Sequence, residues 1–419
     1  MDPRFTRAPR ITPRQAAVLG VLGAIVVILS LWDVKSQDPS GKGEIVWFPG
    51  TPVSNARTAQ NMVTQTPPSL PVIATPTSQA AAAELSPAQR VELQPNELGD
   101  IPILMYHVIS PTPPAVDDGY TRTVDDFKRD LQELYERDYV VVPLVDIVED
   151  QINIPAGKHP VALTFDDGTA GQFRYLIAAD GSITIDPDSA VGILETFFAA
   201  HPDFGRGGYF AVPPTMCFDW QGTAAEPEQT PFCAQKLRWL IEHGYEVGDH
   251  TVDHADLLDL DDQAFQTAVG GGWTGLQDLV PELQPSILAM PFGNYPDQKL
   301  HPEQREWLRS GFVYNGVQIK LQAALMVGAN PAVSPASTEW DPLYVARIRA
   351  YDGELGSTEW LDTLSNEPGL LYTSDGDPDT ITFPTQVSAA LDGTIDQARL
   401  EGEGKRVIRY DPLTGTEEP

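Results

Sequence analysis

The sequence predicts an α/β protein whose centre is a parallel sheet or barrel. Three observations predict it. Short apolar runs alternate with amphipathic stretches between about residues 100 and 350, the pattern of strands joined by crossover helices. One run, Val161-Ala-Leu-Thr-Phe165, ends in Asp166-Asp-Gly168, so two carboxylates sit where a buried strand becomes a loop. A helix, a glycine stop and a short strand over Leu237–Val247 lead into His250-Thr-Val-Asp-His254. Polar residues at C-terminal strand ends mark the active edge of an α/β barrel.

The elements follow in order. Arg4, Arg7, Arg10 and Arg14 precede an uncharged run from Ala16 to Trp32. A basic flank before such a run orients it as a transmembrane signal-anchor with residues 1–15 in the cytoplasm. A cleaved signal peptide is the competing reading, and would make the protein secreted. Residues 33–99 are rich in Pro, Thr, Ser, Gln and Ala with poor apolar periodicity, which reads as a disordered tether. The expected location is therefore the cell membrane, single-pass, with the rest outside the cytoplasm.

The main domain spans residues 100–351. Ile101–His107 is a buried strand, and Thr123–Asp138 an amphipathic helix with apolar Val124, Phe127, Leu131, Leu134 and Tyr135. Tyr139–Val142 is a strand, Leu144–Glu149 a short helix, and Val161–Phe165 the central strand. Arg174–Ile185 reads as an inserted hairpin around Asp180-Gly181. Helix Ala190–His201 and strand Gly207–Pro213 precede an insertion, Pro214–Phe232, which brings in both cysteines, Cys217 within it and Cys233 at its end. A disulfide is expected outside the cytoplasm, with two buried thiols as the alternative. Helix Gln263–Leu279 is weakened by Gly270-Gly-Gly272. Strand Ile287–Pro291, helix Pro302–Ser310, and strands Ala323–Val327 and Tyr344–Ala350 complete the alternation. Residues 352–419 form a less regular extension, in which Thr380–Phe383 and Arg406–Tyr410 read as a small paired β appendage.

Composition narrows the partners. A net charge of −32 over 419 residues and a pI near 4.3 argue against nucleic acid. Two cysteines exclude a zinc–thiolate cluster as the main architecture.

Adjacent strand residues face opposite ways, so Asp166 and Asp167 can take different roles at one site. Histidines four apart on a helix share a face and can reach one ion. Two imidazoles and a carboxylate make a three-ligand face for zinc or a similar divalent ion. Either motif alone also reads as an ordinary turn or a surface pair. Asp249, Asp253 and Asp256 flank the histidines, either as imidazole acceptors or as solvated acids.

Four ordered motifs carry a resemblance. Thr164-Phe-Asp-Asp-Gly168, His250-Thr-Val-Asp-His254, Ile103-Leu-Met-Tyr-His107 and Ala289-Met-Pro-Phe-Gly293 resemble motifs of the polysaccharide deacetylase family (carbohydrate esterase family four, the NodB-homology domain) over about Asp100–Tyr351. The resemblance implies a distorted (β/α)7 barrel of the glycoside hydrolase/deacetylase type. It implies metal-dependent hydrolysis of N-acetyl (or O-acetyl) groups, the work of a hydrolase on carbon–nitrogen bonds other than peptide bonds. The substrate implied is an acetylated polysaccharide, an N-acetylglucosamine polymer or a peptidoglycan-like glycan. It makes Asp167, His250 and His254 the ligands of a divalent metal, zinc first, with cobalt or nickel as alternatives. It makes Asp166 the general base and the Phe292 backbone N–H the oxyanion donor.

The chain departs from the family pattern at three places. Ala289 stands where many members carry Arg, and Arg347 is the residue expected to hold Asp166, with a surface ion pair as the alternative. No histidine follows His301, so the family's Leu-x-His acid is missing, leaving His107 or Asp166 itself for that role. His107 reads equally as a satisfied core histidine. The Asp-x-x-Asp-Trp motif has only a loose echo in Thr338–Asp341. A catalytically impaired glycan-binding protein is thus the alternative function, and hydrolysis of another bond, such as a phosphoester, the third.

Overall fold

The computed structural model describes residues 84–116, 118–220, 226, 228–386 and 395–418. The expected cytoplasmic tail, the run Ala16–Trp32 and the tether up to residue 83 lie outside the described residues. Among the described residues, no helix is long and apolar enough to cross a membrane. The expected single-pass membrane localisation therefore finds no support in the structure.

Eight strands build one parallel sheet: β1 (Ile103–Tyr106), β2 (Tyr139–Val141), β3 (His159–Phe165), β4 (Tyr209–Val212), β5 (Glu246–Asp249), β6 (Ile287–Ala289), β7 (Ala323–Leu325) and β8 (Ile348–Arg349). Their order is β7-β6-β5-β4-β3-β1-β8, with β2 pairing the start of β3. A parallel bridge between Leu325 and Val345 joins the β7 edge to the chain entering β8. There Met326 N–H donates to Val345 O at 2.9 Å and Val345 N–H to Ala324 O at 3.0 Å. The sheet thereby returns on itself.

Parallel strands need long crossovers, and six of these carry α-helices: α2 (Val124–Glu136), α3 (Leu144–Val148), α4 (Ala190–Ala200), α5 (Cys233–Glu242), α6 (Asp262–Leu279) and α7 (Pro302–Ser310); β7 reaches β8 without one, and α8 (Ser357–Asn366) follows β8. Helix α2 starts where the sequence signals it. Thr123 Oγ1 accepts from Asp126 N–H at 3.1 Å, and the Asp126 carboxylate accepts from Thr123 N–H at 3.3 Å, a reciprocal cap. Its buried face is Val124, Phe127, Leu131 and Leu134, joined by Asp130, which takes buried Arg122 as partner.

Side-chain alternation divides each strand between two cores. Ile103, Ala162, Tyr209, Ala211, Ile287, Ala289, Ala323, Leu325 and Val345 fill the interior. Leu104, Leu163, Phe165, Phe210, Val247 and Ile348 pack outward against α2, α4, α5 and α8. Leu288 and Ala324 pack outward against α6 and α7. The interior relies on small residues. At Gly248 an added Cβ would meet the Tyr209 hydroxyl at 2.1 Å, because that hydroxyl crosses the interior to reach Ile287 O at 2.8 Å.

The segment before residue 100 is ordered in the described range, not tether-like. Helix α1 (Pro87–Leu93) carries a capping box from Ser86 and Gln89. Its buried Arg90 pairs with Glu84 and Glu417. Leu98 packs with Ile381, Phe383 and Leu400 of the C-terminal extension. In that extension β9 (Thr380–Pro384) and β10 (Arg406–Tyr410) pair as the sequence suggests, in parallel, through helix α9 (Gln397–Gly402). The apolar content of 84–99 is too sparse for periodicity to reveal, since its partner lies some 280 residues away.

Cys217 and Cys233 form a disulfide with Cα atoms 5.6 Å apart, the first of the two readings. Beside it Lys236 is fully buried. Its Nζ donates to Gln229 Oε1 at 2.9 Å and Phe218 O at 3.3 Å, and it lies within 5.4–5.8 Å of the Phe173, Tyr175 and Phe218 rings. Burial pushes the ammonium down to about 7. The unfolded chain, with an ordinary lysine near 10.4, then binds the extra proton between those values. The Lys236 contribution to stability is therefore least favourable at and below pH 7 and improves as the pH climbs toward 10. Lys236→Met is expected to flatten that rise in urea unfolding between pH 7 and 9.5. Parallel pH profiles for the two proteins would disprove it.

Candidate active site

The C-terminal ends of β3 and β5 bring the sequence-predicted residues together. Strand β3 points Thr164 and Asp166 into the interior. The Asp166 carboxylate is 1% exposed and Arg347 is fully buried. Arg347 Nη1 donates to Asp166 Oδ1 at 2.7 Å and Nη2 to Oδ2 at 2.6 Å. Arg347 also reaches Thr164 Oγ1 at 3.1 Å and Met326 O at 2.7 Å. This bidentate pair replaces the surface ion pair left open by the sequence. Burial pushes Asp166 up, but the guanidinium outweighs it and holds the carboxyl below the usual carboxylate range.

The next residue turns away. Asp167 has φ 76°, and its carboxylate meets His250 Nε2 at 3.2 Å and His254 Nε2 at 3.3 Å. The three candidate ligand atoms lie within 4.8 Å of one another. Burial pushes Asp167 up too, and the two facing imidazoles more than offset it. His250 Nδ1 lies 2.8 Å from Ala289 O. A carbonyl only accepts, so Nδ1 carries a proton and Nε2 is the nitrogen that faces the carboxylate. One carboxylate and two imidazole nitrogens converging on one point make a donor set that suits a divalent cation.

The histidines do not sit on a helix, as i,i+4 spacing suggested. Residues 251–253 form a turn, with Thr251 at φ 61° and His254 at φ 62°. The fold of the turn, held by Ala255 N–H on Thr251 Oγ1 at 2.7 Å, brings the rings to 4.9 Å. Ten non-glycine residues among those described have positive φ, and Asp167, Thr251, His254 and Phe292 are four of them. Left-handed backbone costs of order 1 kcal/mol or more per residue, so its concentration here marks a built site. Phe292, 60% exposed, packs edge-on to His254 at 4.6 Å.

His107 lies near the trio and is half-buried, its Nδ1 enclosed with no hydrogen-bond partner among the described residues. Burial pushes its imidazole down, against the pull of Asp167 and Asp166. The flanking acids are not imidazole acceptors. Asp249 faces outward, where a Cβ on Gly272 would strike its Oδ1 at 2.1 Å, and burial pushes it up to about 8. Asp256 accepts from Asn294 Nδ2. The sequence reading missed Gln172. Its buried amide donates to His107 O at 2.7 Å and Asp166 O at 2.5 Å, tying two strand ends together. A lone glutamine in a loop carries no signal for this.

No protein-family model and no curated protein matches the chain. Among solved structures it is similar to a Streptococcus pyogenes deacetylase, PplD, in complex with acetate, at 20% identity and TM-score 0.43, covering 61% of this chain and 95% of that one. It is also similar to IcaB from Ammonifex degensii at 17% identity, TM-score 0.41, covering 64% and 96%. A third is a de-N-acetylase from Aggregatibacter actinomycetemcomitans at 14%, TM-score 0.41, covering 64% and 98%. Likeness at this level does not assign chemistry to the chain.

The Arg347–Asp166 pair makes a separable prediction. Removing one partner of a buried pair leaves the other charge uncompensated. Arg347→Met is expected to lower urea-unfolding stability by roughly 3–5 kcal/mol, and the double variant with Asp166→Leu to recover most of it. A single variant as stable as wild type would show that the pair is not so constrained.

Proposed function

We propose that this chain hydrolyses acetyl groups on an acetylated polysaccharide, releasing acetate, with a divalent metal at Asp167, His250 and His254. The observation that carries the reading is the convergence of that trio beside an ionised Asp166 held by a buried arginine. The motif resemblance supplies the reaction class. When bound, a metal such as zinc, cobalt or nickel supplies a Lewis acid for the acetyl carbonyl and lowers the pKa of water.

The chain's own residues divide the remaining work. Asp166 takes the proton from the attacking water. Its two oxygens are both engaged by Arg347, so the carboxylate is fixed in orientation and stays charged. The Phe292 N–H donates to the oxygen that becomes negative as water adds to the acyl carbon. The left-handed turn at Phe292 aims this main-chain group differently from a helical one. The carbon–nitrogen bond then breaks, and the amine nitrogen takes a proton. His107 is the group assigned to deliver it, in place of the missing Leu-x-His histidine. Gln172 positions His107 and Asp166 through their carbonyls.

A second reading is a catalytically impaired glycan-binding protein. One observation favours it: burial keeps the His107 imidazole toward the neutral form, which lacks the acidic second proton of an imidazolium.

Zinc-loaded protein is expected to release acetate from N-acetylglucosamine oligomers, and a chelator to stop it. Asp166→Asn and His107→Gln should each lower kcat by about a hundred- to ten-thousand-fold, with oligomer binding retained. Binding without acetate from the wild-type protein would select the second reading. An Asp166→Asn variant as active as wild type would remove Asp166 as the base.

A further inference from the structure

Strand β8 carries a second arginine at the same end of the barrel. Arg349 is two residues beyond Arg347, so it lies on the same face of the strand, one pleat nearer the C-terminal edge. Its Cα pairs with Met105 on β1, two residues before His107. Tyr120 lies edge-on to His107 at 4.9 Å, and the Arg349 guanidinium sits 5.6 Å from the Tyr120 ring and 5.4 Å from the Tyr351 ring.

The flanking loop is fixed rather than loose. Asp118 accepts from the N–H groups of Tyr120 at 2.9 Å and Thr121 at 2.8 Å, and from the Thr121 hydroxyl at 2.9 Å. Gly119, at φ 68°, lets the loop come close: a Cβ there would meet Arg349 Nη1 at 3.1 Å. Two rings and a glycine therefore hold a half-exposed cation in one place.

That cation has no carboxylate within 4.0 Å among the described residues, in a chain with 59 acidic residues. The nearby Asp352 is committed elsewhere, to Arg122 and Arg129, each at 3.0 Å. Flanking by aromatic rings stabilises the charge and leaves N–H groups for an oxyanion. A net charge of −32 repels an anionic polymer as a whole. That repulsion is screened beyond about 8 Å at physiological salt, so a positioned arginine decides the local preference.

We propose that Arg349 recognises an oxyanion substituent on the glycan, a carboxylate or a phosphate, and that the substrate class is an acidic acetylated polysaccharide. This rests on the deacetylase reading for its substrate, but anion recognition can be measured without turnover. Three N-acetylglucosamine oligomers of equal length serve as probes: neutral, carboxylated and phosphorylated. One anionic oligomer is expected to show a KM roughly ten- to a hundred-fold below the neutral one at low salt, and the gap should shrink at 0.5 M salt, a probe concentration of about a 4 Å Debye length. Whichever anion shows it identifies the substituent. In Arg349→Gln the KM values should converge, while Arg349→Lys retains part of the gap. Thermal unfolding of both variants checks that the fold is intact.

Calorimetry with the Asp166→Asn protein repeats the comparison as binding alone. Preferential binding of an anionic oligomer with no acetate released by wild type would sink the deacetylase reading and leave Arg349 as an anion site. Acetate released from all three with equal KM, or Arg349→Gln weakening the neutral oligomer as much as the anionic ones, would overturn the role given to Arg349.

Discussion

A carboxylate enclosed in a protein interior stays ionised only if another charge holds it, and here that charge is Arg347. The cost of desolvating each ion is several kcal/mol. It is offset because the guanidinium matches both Asp166 oxygens at 2.6–2.7 Å and spends its remaining donors on Thr164 and Met326. The pair joins the end of β3 to the approach to β8, two strands that flank β1 in the sheet. Arg347 Nε also donates to Met326 O just past β7, so the guanidinium ties the proposed base to the place where the Leu325–Val345 bridge closes the sheet.

The interior is built to leave room for this. Alanines at 162, 211, 289 and 323 and the glycine at 248 line the space that Tyr209 and Arg347 occupy. In a filled barrel, layers of branched residues would take that volume. Small residues on facing strands are what allow a polar pair inside, and the Tyr209 hydroxyl finds a main-chain carbonyl rather than remaining unsatisfied.

The sequence made some of this legible and hid the rest for physical reasons. Apolar alternation located the strands of the parallel sheet, because period and length are local properties. Asp166, Asp167, His250 and His254 were visible as polar residues closing apolar runs. What failed was the local geometry of the histidines. Spacing of four suits a helix, but the turn reaches the same convergence with left-handed backbone at Thr251 and His254, and nothing in His-Thr-Val-Asp-His announces positive φ. Orientation of His250 comes from a main-chain carbonyl at Ala289, and backbone acceptors have no sequence signature. Gln172 and the packing of residues 84–99 on the C-terminal extension depend on long-range contacts in the same way. The anchor expected from the N-terminal composition met no spanning helix among the described residues.

The departures from the family pattern become coherent once the geometry is considered. With Ala at 289, the interior position on β6 carries no charge for Asp166, and Arg347 supplies it instead. Moving the guanidinium to the segment before β8 places it on the neighbouring side of the ring, beside β1. The same strand then continues to Arg349 at the mouth, flanked by Tyr120, which in turn touches His107. The proposed base, the proposed acid and the proposed anion contact all border the seam of β1 against β8, and the metal trio lies beside it at the ends of β3 and β5. A substrate bridging the two would lie across the mouth, with its acetyl group toward the trio and any acidic substituent toward β8.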